Sequence, residues 1–218
     1  ILNCIGITKR REDPQNPIPS IALNAMLPHK LANLAADLKA KLIHFSTDCV
    51  FDGRKGHYSD DDPTNATDLY GRTKALGEVT GNGVLTLRSS FIGKEIHEGT
   101  ELLEWFLSQK KAVRGFKNAI YTGLTTLELC RVIEKLLLDY PDASGLYNVS
   151  SEPINKFDLL RLIGEKMHRS VEIIPDESFQ CDRSLDSKRF RRDFGYTPPT
   201  WKEMVEELSQ VIGVNHDN

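Results

Sequence analysis

The sequence shows no excess of positive charge and no apolar run near membrane length. A net charge of −3 over 218 residues argues against nucleic acid or an anionic membrane surface as a partner. No stretch approaches the roughly 20 apolar residues that cross a bilayer, so no membrane association is expected. The basic clusters Lys9-Arg10-Arg11 and Arg189 with Arg191-Arg192 then read as solvated surface. Cysteine is scarce: four, at 4, 49, 130 and 181, with neither a CxxC pair nor zinc-ligand spacing. They read as reduced thiols in a cytoplasmic protein. The six histidines are scattered without an HxxxH pair, so no metal site is expected. Two N-terminal features are missing as well, an initiator methionine and the basic n-region of a signal peptide. The chain opens directly in the apolar run Ile1 to Ile7 and reads as a piece of a longer polypeptide.

What is there alternates. Ile1 to Ile7 has the pattern of a buried parallel strand, apolar on both faces, followed by a polar, proline-rich loop to Pro19. Apolar residues near helical spacing predict a helix from Ser20 to about Ala40, kinked at Pro28. Lys41 to Thr47 reads as the next strand, 53–63 as loop, Tyr70 to Val79 as a second helix, and Val84 to Arg88 as a third strand. This rhythm means βαβ units and a parallel sheet. Beyond Ser89 it loosens. Helices are predicted near 100–110, 125–139, 155–168 and 200–212, and short strands near Leu146–Val149 and Val171–Ile174.

The chemistry concentrates in two places. The second strand ends Phe45-Ser46-Thr47-Asp48, and Tyr70 and Lys74 follow in Leu69-Tyr70-Gly71-Arg72-Thr73-Lys74. Residues four apart share a helix face. An ammonium beside a phenol favours the phenolate and lowers its pKa. A strand-end hydroxyl can share a substrate carbonyl with that phenol, which makes a proton-delivery site for carbonyl–alcohol interconversion. A YxxxK pair alone is common on helix surfaces; its place after a strand ending Ser-Thr-Asp gives it weight. Asn24, mid-helix, either bonds backbone at the Pro28 kink or positions the catalytic helix. Arg183 either forks onto a diphosphate or pairs at the surface with Asp182 or Asp186. Cys49 reads as a small buried side chain, and Trp105 and Trp201 as core.

The segments His44-Phe45-Ser46-Thr47-Asp48-Cys49-Val50-Phe51-Asp52-Gly53 and Tyr70-Gly71-Arg72-Thr73-Lys74-Ala75-Leu76-Gly77-Glu78 resemble the extended short-chain dehydrogenase/reductases. Within these they are most similar to the dTDP-4-dehydrorhamnose reductase family of sugar-nucleotide reductases. The resemblance runs through Leu2-Asn3-Cys4, Leu87-Arg88-Ser89-Ser90-Phe91, Leu146-Tyr147-Asn148-Val149-Ser150 and Asp182-Arg183-Ser184-Leu185-Asp186. It implies an α/β fold with a Rossmann-like, doubly wound parallel sheet. Residues 1–90 would be the downstream part of the dinucleotide-binding domain. Residues 91–218 would be mainly a smaller substrate-binding lobe, some segments returning to the sheet. It also implies roles. Thr47 would hydrogen-bond the sugar carbonyl, Tyr70 would donate the proton, and Lys74 would lower its pKa while bonding the nicotinamide ribose. Cys4, Ile5, Gly6 and Ser46 would lie along the cofactor, NADPH or NADH. Asp48, Phe91 and Arg183 would touch the nucleotide-diphospho-sugar.

Related dehydratases carry Thr-Asp-Glu at this strand end and use both carboxyls to eliminate water. Here the third position is Cys49, mostly a thiol at neutral pH. The resemblance therefore implies a reductase of a 4-keto nucleotide-diphospho-sugar, serving deoxysugar and surface-polysaccharide synthesis. Cys49 also departs from the tyrosine usual in the rhamnose-pathway enzymes. The alternatives are an NAD-retaining epimerase and a non-catalytic regulatory homologue. The glycine-rich turn that seats pyrophosphate on a helix N-terminus is not in the sequence; Gly81-Asn82-Gly83 precedes a strand. The family carries that turn upstream, within roughly two βαβ units of about 30 residues each. Two expectations follow. These residues alone would neither bind a dinucleotide tightly nor turn over substrate. The first strand would form an open sheet edge, which favours pairing with another chain and so a homodimer.

Overall fold

A computed structural model describes residues 1–13, 15–96 and 99–213. Four strands form a parallel sheet: β1 (Leu2–Asn3), β2 (Leu42–Ser46), β3 (Val84–Arg88) and β7 (Gly145–Asn148), in the order β1-β2-β3-β7. All of β3 and most of β2 are buried, as strands covered on both faces must be. β1 is shorter than the apolar run Ile1 to Ile7 predicts, and Ile1, Leu2 and Ile5 are exposed. The strand ends at Asn3 for a local reason. Its buried side chain accepts from the Ile5 N–H and meets His44 Nδ1 at 3.0 Å, so the chain turns out of the sheet.

The first crossover differs from a simple proline kink. An α-helical turn, α1 (Ile18–Ser20), leads into six π-helical residues, Ile21–Met26, and then α2 (Leu27–Asp37). Pro28 has no N–H to donate and its ring crowds the preceding turn. The π segment takes up the mismatch, with Leu27 N–H reaching back to Ala22. The wider turn faces α3 (Leu69–Leu76), and the residue that ends α3 is Gly77. A Cβ on Gly77 would stand 1.9 Å from the Asn24 carbonyl oxygen. Only glycine permits this approach. Asp68 starts α3 by accepting from Gly71 N–H at 2.7 Å.

The remainder packs on the same sheet. β4 (Phe91–Ile92) pairs with β6 (Leu124–Thr125). A third sheet has the order β8-β5-β9, with β5 (Val113–Tyr121) central, β8 (Ile154–Asn155) antiparallel to it and β9 (Ile173–Asp182) parallel. Around these lie α4 (Leu102–Leu107), α5 (Thr126–Leu138), α6 (Lys156–Lys166), α7 (Lys188–Phe194) and α8 (Trp201–Ile212). One core joins both halves: Ile43, Leu85 and Leu87 of the first sheet touch a cluster that includes Phe106, Val132, Ile163 and Phe190. Trp201 lies in it and donates to the Glu152 carbonyl at 2.7 Å, and Trp105 packs at its margin.

Beneath the second strand's end sits a buried ion pair. Arg88 grips Glu78 with both arms, Nε to Oε1 at 2.7 Å and Nη2 to Oε2 at 2.8 Å, and donates to the Asp60 carbonyl. Its guanidinium stands 5.1 Å from the Phe51 ring centroid. Ser46 Oγ donates to the same Glu78 at 2.7 Å, so a single carboxylate ties β2, β3 and the end of α3.

Two substitutions test these contacts by denaturant unfolding. Gly77→Ala should lose about 2–3 kcal/mol, because the inserted methyl must push α3 off the π segment. Arg88→Met should lose about 3–5 kcal/mol, because Glu78 is left buried without its cation.

Candidate active site

The end of β2 and the first turn of α3 meet at one place. Thr47 is the residue at which the chain leaves β2: its backbone is extended, and its side-chain oxygen accepts from Cys49 N–H at 3.2 Å. A short helical turn, Asp48–Val50, follows, and both Thr47 and Asp48 are buried. The Thr47 hydroxyl lies 3.3 Å from Asp48 Oδ1 and acts on the Tyr70 phenol. Gly71 is required here, since a Cβ would stand 2.2 Å from the Cys49 carbonyl. The structure thus brings Thr47, Asp48 and Tyr70 together.

Lys74 is buried one turn further along, and its ammonium donates to the Phe45 carbonyl at 2.5 Å. Burial pushes it down to about 8, with Glu78 opposing. The Tyr70 phenol lies above the ordinary tyrosine value. Burial is the main cause, Cys49 and Asp48 add to it, and the Thr47 hydroxyl opposes it. The net effect on the phenol is upward, and Lys74 is not among the groups acting on it in this arrangement; its ammonium donates to the Phe45 carbonyl. The phenol keeps its proton throughout the neutral range, which is the state a proton donor needs.

The Asn24 amide connects three elements. Its Oδ1 accepts from Ile7 N–H at 2.8 Å. Its Nδ2 donates to the Ile7 carbonyl at 2.9 Å and to Thr73 Oγ1 at 3.2 Å. Of its two readings, the bond to the catalytic helix is the one present. The loop Cys4 to Gly6 is exposed, and a Cβ on Gly6 would stand 3.1 Å from the Asn24 oxygen. Ser46 departs from expectation: it is buried and committed to Glu78, which leaves it a structural role in the sheet.

Arg183 does not pair with Asp182 or Asp186. Its Nε donates to the Phe51 carbonyl at 2.8 Å and its Nη1 points to Cys49 Sγ at 3.9 Å, which sets it against the strand end. Cys49 is partly buried; burial and the neighbouring Asp48 push its thiol up to about 12, Arg183 opposing. It is an inert thiol, not an acid–base group. Phe91 is half exposed, on β4. Two groups beside this cluster escape a reading of the sequence, Tyr121 at the end of β5 and Lys156 at the start of α6. No local motif marks either; only the pairing of β5 with β8 brings them here. Among the described residues no group of three or more His, Cys, Asp or Glu could hold a metal ion.

Comparison with known proteins places this geometry. A model of the RmlD substrate binding domain matches residues 12–213. The "Probable low-salt glycan biosynthesis reductase Agl14" of Haloferax volcanii is 36% identical, over 97% of this chain and 77% of that protein. The dTDP-4-dehydrorhamnose reductase of Escherichia coli is 25% identical, over 98% and 81%. Among solved structures, a dTDP-4-dehydrorhamnose reductase from Bacillus anthracis in complex with NADP superposes with a TM-score of 0.82. It has 20% identity and covers 95% of this chain and 79% of that one, a likeness of fold. A hypothetical dTDP-4-dehydrorhamnose reductase from Sulfolobus tokodaii gives 0.76 at 27% identity, covering 91% and 76%. With an α/β fold, a parallel sheet and Thr47, Tyr70 and Lys74 gathered at one strand end, the chain belongs to the RmlD substrate binding domain family.

Proposed function

We propose that this protein is a reductase of a 4-keto nucleotide-diphospho-sugar, dependent on NADPH or NADH. The observation that carries the reading is the buried Thr47 hydroxyl acting on a Tyr70 phenol held in its acid form. The relatives named as reductases support it. The reading divides the chain into a catalytic part, residues 1–90, and a substrate lobe, mainly 91–218. It assigns the protein to the cytoplasm and to deoxysugar and glycan synthesis.

The residues present fit the nicotinamide end of such a cofactor. The exposed Cys4–Gly6 loop runs beside the Asn24 amide, where a Cβ on Gly6 would crowd the amide oxygen. These three, with Lys74 and Tyr70, would hold the nicotinamide and its ribose. A reduced nicotinamide, when bound, supplies hydride to the carbonyl carbon. Thr47 and Tyr70 take the sugar carbonyl oxygen between two hydroxyl donors. As charge builds on that oxygen, Tyr70 gives up its proton, and the nearby Lys74 ammonium offsets the phenolate left behind. Asp48, Phe91 and Arg183 would bind the sugar nucleotide. Cys49 supplies no second carboxyl, so water elimination lacks its acid–base partner.

Two measurements on the complete gene product test this reading. Tyr70→Phe should lower kcat by about 100-fold or more while leaving the unfolding midpoint within a degree or two. A full rate in this variant would remove Tyr70 as the proton donor, and no turnover in the wild type would favour a regulatory homologue. Oxidation of one NADPH per sugar reduced separates the reductase from an epimerase, which consumes none. The pH profile follows from Lys74. Its folded pKa is depressed, so the ammonium is present below about 8 and lost above it. kcat/KM should therefore fall on the alkaline side with an apparent pKa near 8. The same shift makes this residue's contribution to stability rise with pH between about 8 and the ordinary lysine value, since the unfolded chain there binds the extra proton.

A further inference from the structure

Tyr121 ends β5, and β8 runs antiparallel to it with Ile154 opposite Tyr121. Asn155 then closes β8 and caps α6, its side chain accepting from the Asp158 N–H. That register sets Lys156, the first residue of α6, over the aromatic face: its Nζ stands 4.2 Å from the Tyr121 ring centroid. The ring itself lies across Gly123, where a Cβ would be 2.1 Å from the tyrosine hydroxyl and 2.5 Å from the Ser90 carbonyl. Ser90 precedes Phe91, so the hydroxyl borders the segment that carries the expected sugar-contacting aromatic.

One buried polar group here is unsatisfied. The half-buried Lys156 sets its ammonium over the ring face. The Tyr121 hydroxyl, on a side chain only 6% exposed, has no hydrogen-bond partner. Buried polar groups are nearly always paired, and an orphan calls for a reason. Asp48 acts favourably on the Lys156 charge, against Arg10, and acts on Tyr121 as well. Both side chains are therefore within electrostatic reach of the strand end that carries Thr47. Burial beside the ring draws this ammonium below the ordinary lysine value, with Asp48 opposing.

We infer that Lys156 and Tyr121 donate hydrogen bonds to oxygens of the substrate's sugar ring, opposite an accepting Asp48 carboxyl. A sugar hydroxyl both donates and accepts, so it needs donors and an acceptor around it. A phosphate accepts only, and Asp48 would repel it. The inference rests on the reductase reading and assigns specificity within that same site.

The test uses the complete gene product with dTDP-4-dehydrorhamnose and NADPH, and dTDP alone as a competitor. Lys156→Met and Tyr121→Phe should each raise KM for the sugar nucleotide about tenfold, the worth of one hydrogen bond to a buried or charged group. Lys156→Arg should recover part of the loss, and inhibition by dTDP should stay within about twofold. Tyr121→Phe removes only an unpaired hydroxyl, so its melting temperature should hold or rise. Unchanged KM in both variants would overturn the inference while the reductase reading stood. An equal loss of dTDP inhibition would overturn the assignment to the sugar, placing the cation at the diphosphate. Should the wild type turn over no substrate, the reductase reading fails by itself. Calorimetric binding of the same sugar nucleotide then decides for Lys156: weaker binding in Lys156→Met sustains the contact, and equal binding overturns it.

Discussion

The close approach of the Asn24 carbonyl to Gly77 is the contact on which the site depends. It lets the π-helical turn and the catalytic helix lie against each other with no side chain between them. From that position the Asn24 amide reaches the Ile7 backbone on one side and Thr73 on the other. The loop after β1 and the helix that carries Tyr70 and Lys74 thus share one fixed point. A helix without the wider turn would move the amide, and with it the spacing between the loop and the phenol. Backbone irregularity of this kind is often found at functional sites.

Burial, more than pairing, sets the electrostatics. It raises the Tyr70 phenol and lowers the Lys74 ammonium, so the two groups are pushed towards neutrality from opposite directions. The proposed proton transfer uses a neutral phenol with a proton to give and a lysine that can still carry charge. The carboxylate–guanidinium pair of Glu78 and Arg88 lies beneath and is satisfied on every side by Ser46 and the Asp60 carbonyl. It holds the strand end without taking part in proton movement.

Much of this was legible in the sequence, and what was legible is local. The spacing of Tyr70 and Lys74, and the strand ending in Thr47, are written in neighbouring residues. β2 and β3 declare themselves by short, largely apolar runs, because both of their faces are covered. β1 misleads for the same reason: apolarity from Ile1 to Ile7 cannot show that Asn3 turns the chain out of the sheet. β5 is hidden because Gly115, Lys117 and Asn118 interrupt it, and its partner β9 contains Pro175; their pairing is irregular between Phe116 and Asn118. Pro28 announces a break in the helix but not its remedy, which is decided by Gly77 in another helix. Lys156 resembles an ordinary solvated helix start until β8 is laid beside β5.

The loop from Phe51 to Tyr58 makes much of its pairing with residues far along the chain. Tyr58 N–H donates to the Ser184 carbonyl, Asp182 N–H to Gly53, and Asp186 N–H to Tyr58, while Arg183 reaches the Phe51 carbonyl across 132 positions. Contacts of such separation carry the largest loop-closure cost and form last. During synthesis the catalytic strand and helix emerge early, yet the wall beside Cys49 must wait until the segment near residue 186 has left the ribosome. The active site is therefore completed late in the life of the nascent chain.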